Sequence, residues 1–147
     1  MPNLRYTTFL QDELVAVVHT GSKLSLPDEI TPEDLSRIPL VLRERGSGTL
    51  DVFERALSEH NMKLSSLNVL LYLGSTESIK LFLEHTDCIG IVSIRSISRE
   101  LLSGTFRVIE IKGMPMLREF CFAQPQGQES GLSQLLMQFA MHHNKKL

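Results

Sequence analysis

The stretch Arg43-Glu44-Arg45-Gly46-Ser47-Gly48-Thr49 carries the residue types and spacing best suited to holding a ligand. It follows an apolar run, Ile38-Pro39-Leu40-Val41-Leu42, that reads as a buried strand. It precedes Val52, Phe53, Ala56 and Leu57, which share one face of a helix. A turn rich in glycine and hydroxyls therefore joins the carboxyl end of a strand to the amino end of a helix. Backbone N–H groups lack intrahelical partners there and the helix dipole favours negative charge, so a small anion fits. Gly74-Ser75-Thr76 repeats the arrangement after a strand ending at Tyr72, and Ser93 does so after the strand that begins at Cys88. In a parallel sheet such ends lie along one edge, where ligands bind. Two readings attach to Ser47, Gly48, Thr49, Ser75 and Thr76: capping alone, and capping combined with ligand contact. The recurrence of the pattern favours the second.

Catalytic chemistry finds less support. The turn lacks the Gly-x-x-x-x-Gly-Lys pattern of a phosphate loop. A dinucleotide fingerprint starting at Gly46 needs glycine where Asp51 stands, and that acid would repel a pyrophosphate. A hydrolase elbow needs glycine two residues before the serine, and Arg45 occupies that place, so Ser47 is not read as a nucleophile. His85, Asp87 and Cys88 cluster in sequence but offer no fourth metal ligand. His142 and His143 sit in a polar tail with Lys145 and Lys146 and read as solvated. Asp12 and Glu13 are adjacent on a strand and so face opposite ways. Arg118 and Glu119 read as a structural pairing at a strand edge rather than as cleft lining. No metal, no cofactor and no enzymatic activity are expected.

The elements that must position these residues alternate. Strands are expected at Leu4–Leu10, Leu14–Val18, Leu40–Arg43, Leu67–Tyr72, Cys88–Ser93, Phe106–Ile111 and Leu117–Ala123. Thr31-Pro32-Glu33-Asp34-Leu35 opens a helix of about two turns, with a threonine cap, proline at the first position and acids in the first turn. Longer helices are expected over Thr49–Asn61 and over Ser75–Glu84, the latter with Ile79, Phe82 and Leu83 inward. Ile97, Leu101 and Leu102 mark a short helix stopped by Gly104, and Leu132, Leu135, Leu136 and Phe139 mark an amphipathic one near the C-terminus. Wholly apolar strands alternating with helices argue for an α/β sheet covered on both faces. Between Pro39 and Ile111 the units form a self-sufficient block. Leu14–Val18, Leu117–Ala123 and the last helix are then left as a second, small sheet short of partners, which suggests that part of a second lobe is missing.

Composition narrows the classes further. The 147 residues suffice for one domain with a core, and a net charge of −2 gives no basic surface for nucleic acid or anionic lipid. No apolar run approaches the roughly 20 residues that span a bilayer, and Met1–Arg5 lacks the apolar core of a secretion signal. The two cysteines, Cys88 and Cys121, each lie inside an apolar run, as buried thiols do in a reducing cytoplasm.

Taken in order, Asp12–Val18, Thr31–Leu35, Pro39–Thr49, Gly74–Lys80, Cys88–Ser93, Leu101 with Gly104, and Arg118–Phe120 resemble the effector-binding domain of LysR-type transcriptional regulators, a periplasmic-binding-protein-like (type II) fold. The fit runs along nearly the whole chain. The resemblance implies an α/β protein of two lobes with a small effector, an organic anion or an amino acid, in the cleft between them. Residues 1–19 would be the hinge and part of the first lobe, 20–115 the second lobe, and 116–147 the return to the first lobe with a C-terminal helix. It implies Ser47, Gly48, Thr49, Ser75 and Thr76 as cleft-facing positions of the second lobe, with Gln11 at the hinge. It also implies a longer full chain, in which a helix-turn-helix domain not present here contacts DNA and a linker helix dimerises. Departures stand at Leu50, where the family often has arginine, and at Thr86 and Asp87, where it often has glycine; with Asp51 nearby, these argue against a strongly anionic effector. The fragment is expected to be cytoplasmic, away from membranes, and to self-associate through Leu14–Val18 and the last helix. A transporter's solute-binding protein and an enzyme lobe on the same fold are the alternatives, the first needing a secretion signal and the second an acid/base pair that the residues do not supply.

Overall fold

The computed structural model describes residues 4–125, with side-chain surroundings for residues 11–118. The expected C-terminal helix, with Leu132 to Phe139, lies outside the described residues, as do His142 and His143. The strands are β1 (Leu4–His19), β2 (Glu29–Ile30), β3 (Leu40–Arg43), β4 (Val69–Leu73), β5 (Ile89–Ser93), β6 (Phe106–Ile111) and β7 (Leu117–Pro125). The α-helices are α1 (Gly48–Glu59), α2 (Thr76–His85) and α3 (Ser98–Leu102). The chain divides into two compact units, Glu13–Leu117 and a smaller one of Met1–Asp12 with Arg118–Leu147.

Among the described residues the sheet runs in the order β2-β6-β1-β5-β3-β4, with β7 paired to β1 off this path. β3 lies parallel to both β4 and β5, whereas β1 is antiparallel to β5 and β6. This corrects one expectation. Leu14–Val18 is not left over for a second small sheet but is a central strand of the main one. Leu14, Ala16 and Val18 enter one core cluster with α1, and Val15 and Val17 enter the other with α2. Burying a side chain of this kind stabilises by roughly 1.5–3 kcal/mol, and a central strand collects that on both faces. All five residues are buried within this one chain, so they offer no surface for self-association. Leu4–Leu10 and Leu14–Val18 are also one continuous strand, because Gln11, Asp12 and Glu13 stay extended.

Local chemistry explains the helices. Thr31 accepts the Asp34 N–H while the Asp34 carboxylate accepts the Thr31 N–H, a reciprocal cap that starts a 3-10 helix over Pro32–Arg37. α1 buries Leu50, Phe53 and Leu57 on one sheet face. α2 buries Ile79 and Leu83 on the other, with Phe82 only partly covered. Gly90 of β5 lets α2 approach: a Cβ there would stand 3.0 Å from Ile79 Cγ2 and 3.3 Å from Leu83 Cδ1. The chain leaves α3 through Gly104, whose φ of +77° favours glycine. At the end of α3 Leu102 is 90% exposed, so of the three apolar residues that mark this helix Ile97 alone is fully buried.

Candidate functional site

Parallel register brings the ends of three strands together. Arg43 of β3 pairs with Leu73 of β4, and β5 runs alongside in the same direction, ending at Ser93. Each strand end leads directly into a helix whose first residue is preceded by a serine. Ser47 caps α1, its Oγ accepting the Leu50 N–H at 3.3 Å. Ser75 caps α2, its Oγ accepting the Ser78 N–H at 3.1 Å and donating to Ser78 Oγ at 2.9 Å. Ser93 caps the 3-10 helix over Ile94–Ile97, accepting the Arg95 N–H at 3.3 Å. Two helices of 12 and 10 residues therefore point their positive ends at one edge of the sheet.

The expected site residues divide on inspection. Ser47, Gly48, Ser75 and Thr76 lie on that edge with at least part of their surface open. Thr49 lies there too but is 8% exposed, tucked into the first turn of α1. Gln11 is exposed and belongs to the smaller unit. Charge on the edge is mixed. Asp51 is exposed in the first turn of α1, and Arg45 pairs with Glu54 at 2.9 Å, which raises the guanidinium pKa. Where β1 exchanges β6 for Met116 as its partner, a groove of about 470 Å³ opens, lined by Glu13, Leu14, Ile94, Ile111, Met114 and Met116.

One residue at this edge gave no signal in the sequence beyond its position. Arg43, the last residue of β3, is partly buried, and its Nε is buried without a hydrogen-bond partner among the described residues. Whether an arginine finds a carboxylate depends on what the fold places beside it, which local pattern does not encode.

The His85, Asp87 and Cys88 group is not assembled as a site. Asp87 accepts the Lys23 N–H at 3.0 Å and the Ser22 hydroxyl at 3.1 Å, while Cys88 is fully buried. Burial, and secondarily the Asp87 charge, push the Cys88 thiol up to about 11, so it is not a thiolate at neutral pH. Among the described residues no group of three or more His, Cys, Asp or Glu side chains could hold a metal ion, and no helix is long and apolar enough to cross a membrane. Arg118 takes the structural role expected of it, bonding Asp12 at 2.8 Å.

The chain matches a known family along almost its entire length: LysR substrate binding domain, over residues 1–145. Among curated proteins it is similar to the HTH-type transcriptional activator CmpR of Synechocystis sp., 29% identical over 97% of this chain and 46% of that protein. It is also similar to the RuBisCO operon transcriptional regulator of Acidithiobacillus ferrooxidans, 29% identical over 86% of this chain and 40% of that protein. The chain thus spans less than half the length of these relatives. Among solved structures, the CcmR regulatory domain of Synechocystis in complex with 2-PG superposes with a TM-score of 0.74 at 25% identity, covering 99% of this chain and 69% of that one.

Proposed function

The chain belongs to the LysR substrate binding domain family, and on that premise we propose that it senses a small-molecule effector at the edge formed by Ser47, Gly48, Thr49, Ser75 and Thr76. The observation that carries this is the parallel register of β3, β4 and β5, which lines up hydroxyl-capped helix starts on one rim. Such a rim offers N–H and O–H donors in fixed positions. On this reading the domain binds its ligand without transforming it, in keeping with relatives that are transcriptional regulators. Organic anions and amino acids are the ligand classes such donors suit, and 2-PG, the ligand named for the CcmR domain, is the first to try.

In the intact regulator the effector would bind one arrangement of the lobes better than another. That differential affinity would shift the DNA-bound state set by a helix-turn-helix domain elsewhere in the protein. The setting is the cytoplasm, and the regulator works as a homo-oligomer. Leu14–Val18 is consumed by the sheet, and among the described residues β4 is an edge strand whose Leu70, Leu71 and Tyr72 are 41–47% exposed and open to a second copy. Isothermal titration of the chain with 2-phosphoglycolate, repeated on Ser47→Ala and Ser75→Ala, tests the site. Affinity should fall in both variants; equal affinity in all three proteins would remove the rim from consideration.

A further inference from the structure

Among the described residues, five cations are partly buried: Arg43, Lys80, Arg95, Arg107 and Arg118. Lys80 lies 3.2 Å from Glu77 and from Glu100, Arg107 lies 3.2 Å from Asp28, and Arg118 lies 2.8 Å from Asp12. Arg95 also has a partner. Among the described residues Arg43 makes no side-chain hydrogen bond or ion pair, and its Nε is closed off from water as well. A half-buried guanidinium without a counter-charge is expensive, and folded proteins leave such groups only where something else completes them.

The surroundings say what completes it. Arg43 is two residues beyond Val41, on the strand face that α2 covers through Ile79 and Leu83. It therefore stands at the same rim as the amino end of α2, a second positive element. The acids at this end of the sheet do not neutralise it. Glu77 is engaged by Lys80, and Glu44, whose Oε1 lies 3.7 Å from where a Gly74 Cβ would be, is exposed. An exposed carboxylate is screened by solvent, whereas the sequestered Nε is not, so the net demand at this spot is for negative charge.

We infer that the effector is an anion whose carboxylate or phosphate is received by Arg43, the guanidinium fork providing paired donors at the strand end that pairs with Leu73, ahead of α2. The inference rests on the rim being the effector site and adds the ligand's charge class and its anchoring residue. It narrows the two ligand classes to one and sets aside the reading of Leu50 and Asp51 as signs against an anionic effector. Asp51 is exposed on α1, while Arg43 lies on the face covered by α2.

The test titrates inorganic phosphate, 2-phosphoglycolate and uncharged glycerol into the chain and its Arg43→Gln, Arg43→Lys, Ser47→Ala and Ser75→Ala variants. Losing a charge-assisted hydrogen-bond pair should weaken 2-phosphoglycolate roughly 10- to 100-fold in Arg43→Gln and less in Arg43→Lys, with binding that also falls as salt rises. Glycerol should not bind. Without ligand, Arg43→Gln should melt no lower than the parent, because it removes an uncompensated charge; a lower melting temperature would count against the unpaired state itself. If Arg43→Gln binds 2-phosphoglycolate as the parent does while the serine variants are weakened, Arg43 is not the anchor and the rim stands. If glycerol binds and neither anion does, the charge class is wrong and the rim is judged by the serine variants. If the anions bind equally well to all five proteins, or none of the probes binds, both readings fall.

Discussion

Arg118 Nη2 donates to Asp12 Oδ2 at 2.8 Å, and the aspartate is 5% exposed. The two residues sit on β7 and β1, at the points where each strand enters the smaller unit. Proximity to Glu13 gave Asp12 the outline of a paired acid, but its partner is a cation more than a hundred residues away in the chain. The pair is structural, and its removal should be felt in stability. Asp12→Ala removes this ion pair and is expected to lower unfolding free energy by about 1–3 kcal/mol. Replacing both partners, Asp12→Leu with Arg118→Met, should recover most of that loss. Urea unfolding of the single and double variants measures it, and a single variant as stable as the parent would contradict the account.

Gly90 makes a sharper demand on packing. A Cβ at this position would meet Ile79 Cγ2 at 3.0 Å, Leu83 Cδ1 at 3.3 Å and Val41 Cγ1 at 3.4 Å. Gly90→Ala is expected to lose about 1–3 kcal/mol through displacement of α2 from the sheet. Removing the methyl it meets should restore room, so Gly90→Ala with Ile79→Ala, which deletes Cγ2, ought to be less destabilised than the sum of its parts. Additive losses would show that α2 does not move as a unit over this glycine.

Much of this was legible locally, and what was not has a common cause. The strand Leu40–Arg43 is bounded by Pro39 and a glycine turn, and its apolar run specifies it without help. The caps at Thr31, Ser47, Ser75 and Ser93 follow from hydroxyls placed ahead of periodic apolar residues, and each side chain accepts the N–H that this role requires. The strand β2 is two residues long and owes its existence to Ile111 and Glu110 of β6. It has no period to read. The central place of Leu14–Val18 was likewise invisible, because apolarity on both faces says that a strand is covered but not by which neighbours. Its partners Ile89–Ser93 and Phe106–Ile109 are some 70 to 95 residues away, a separation visible only in the pairing itself. The unpaired state of Arg43 belongs with these, being a fact about what two other strands and a helix leave beside it.

Acid should weaken the fold through two aspartates at the surface, Asp87 exposed and Asp34 partly covered. The Lys23 N–H, and then the Ser22 hydroxyl, hold the Asp87 carboxyl below its usual 3.8. The Thr31 N–H, and then Arg37, do the same for Asp34. A carboxylate whose pKa is depressed by folding stabilises above its unfolded pKa and loses that contribution as pH falls through the folded value. Stability should therefore be flat from neutrality down to about pH 5 with respect to these groups and decline below 3.8. In Asp34→Asn with Asp87→Asn the decline should be shallower. Melting temperatures collected from pH 7 to pH 2 compare the two, and superimposable curves would mean that neither hydrogen-bond set survives in solution.

Capping and ligand contact at Ser47 and Ser75 make separable demands. As caps, each serine satisfies one helix N–H, so Ser47→Ala and Ser75→Ala should each lose about 1 kcal/mol, and the glycine variants only a few tenths. The two helices share no capping partner, so the losses should add. The Ser75 hydroxyl also donates to Ser78 Oγ, but Ser78 is exposed and can turn to water instead, so this second bond adds little to the loss. A capping role alone predicts that alanine and glycine variants differ in stability yet bind effector alike once folded. A contact role predicts that both bind weakly, because neither carries the hydroxyl. Guanidinium unfolding measures the first, titration of the folded proteins measures the second, and glycine variants are the informative ones because they keep the helix while removing the oxygen.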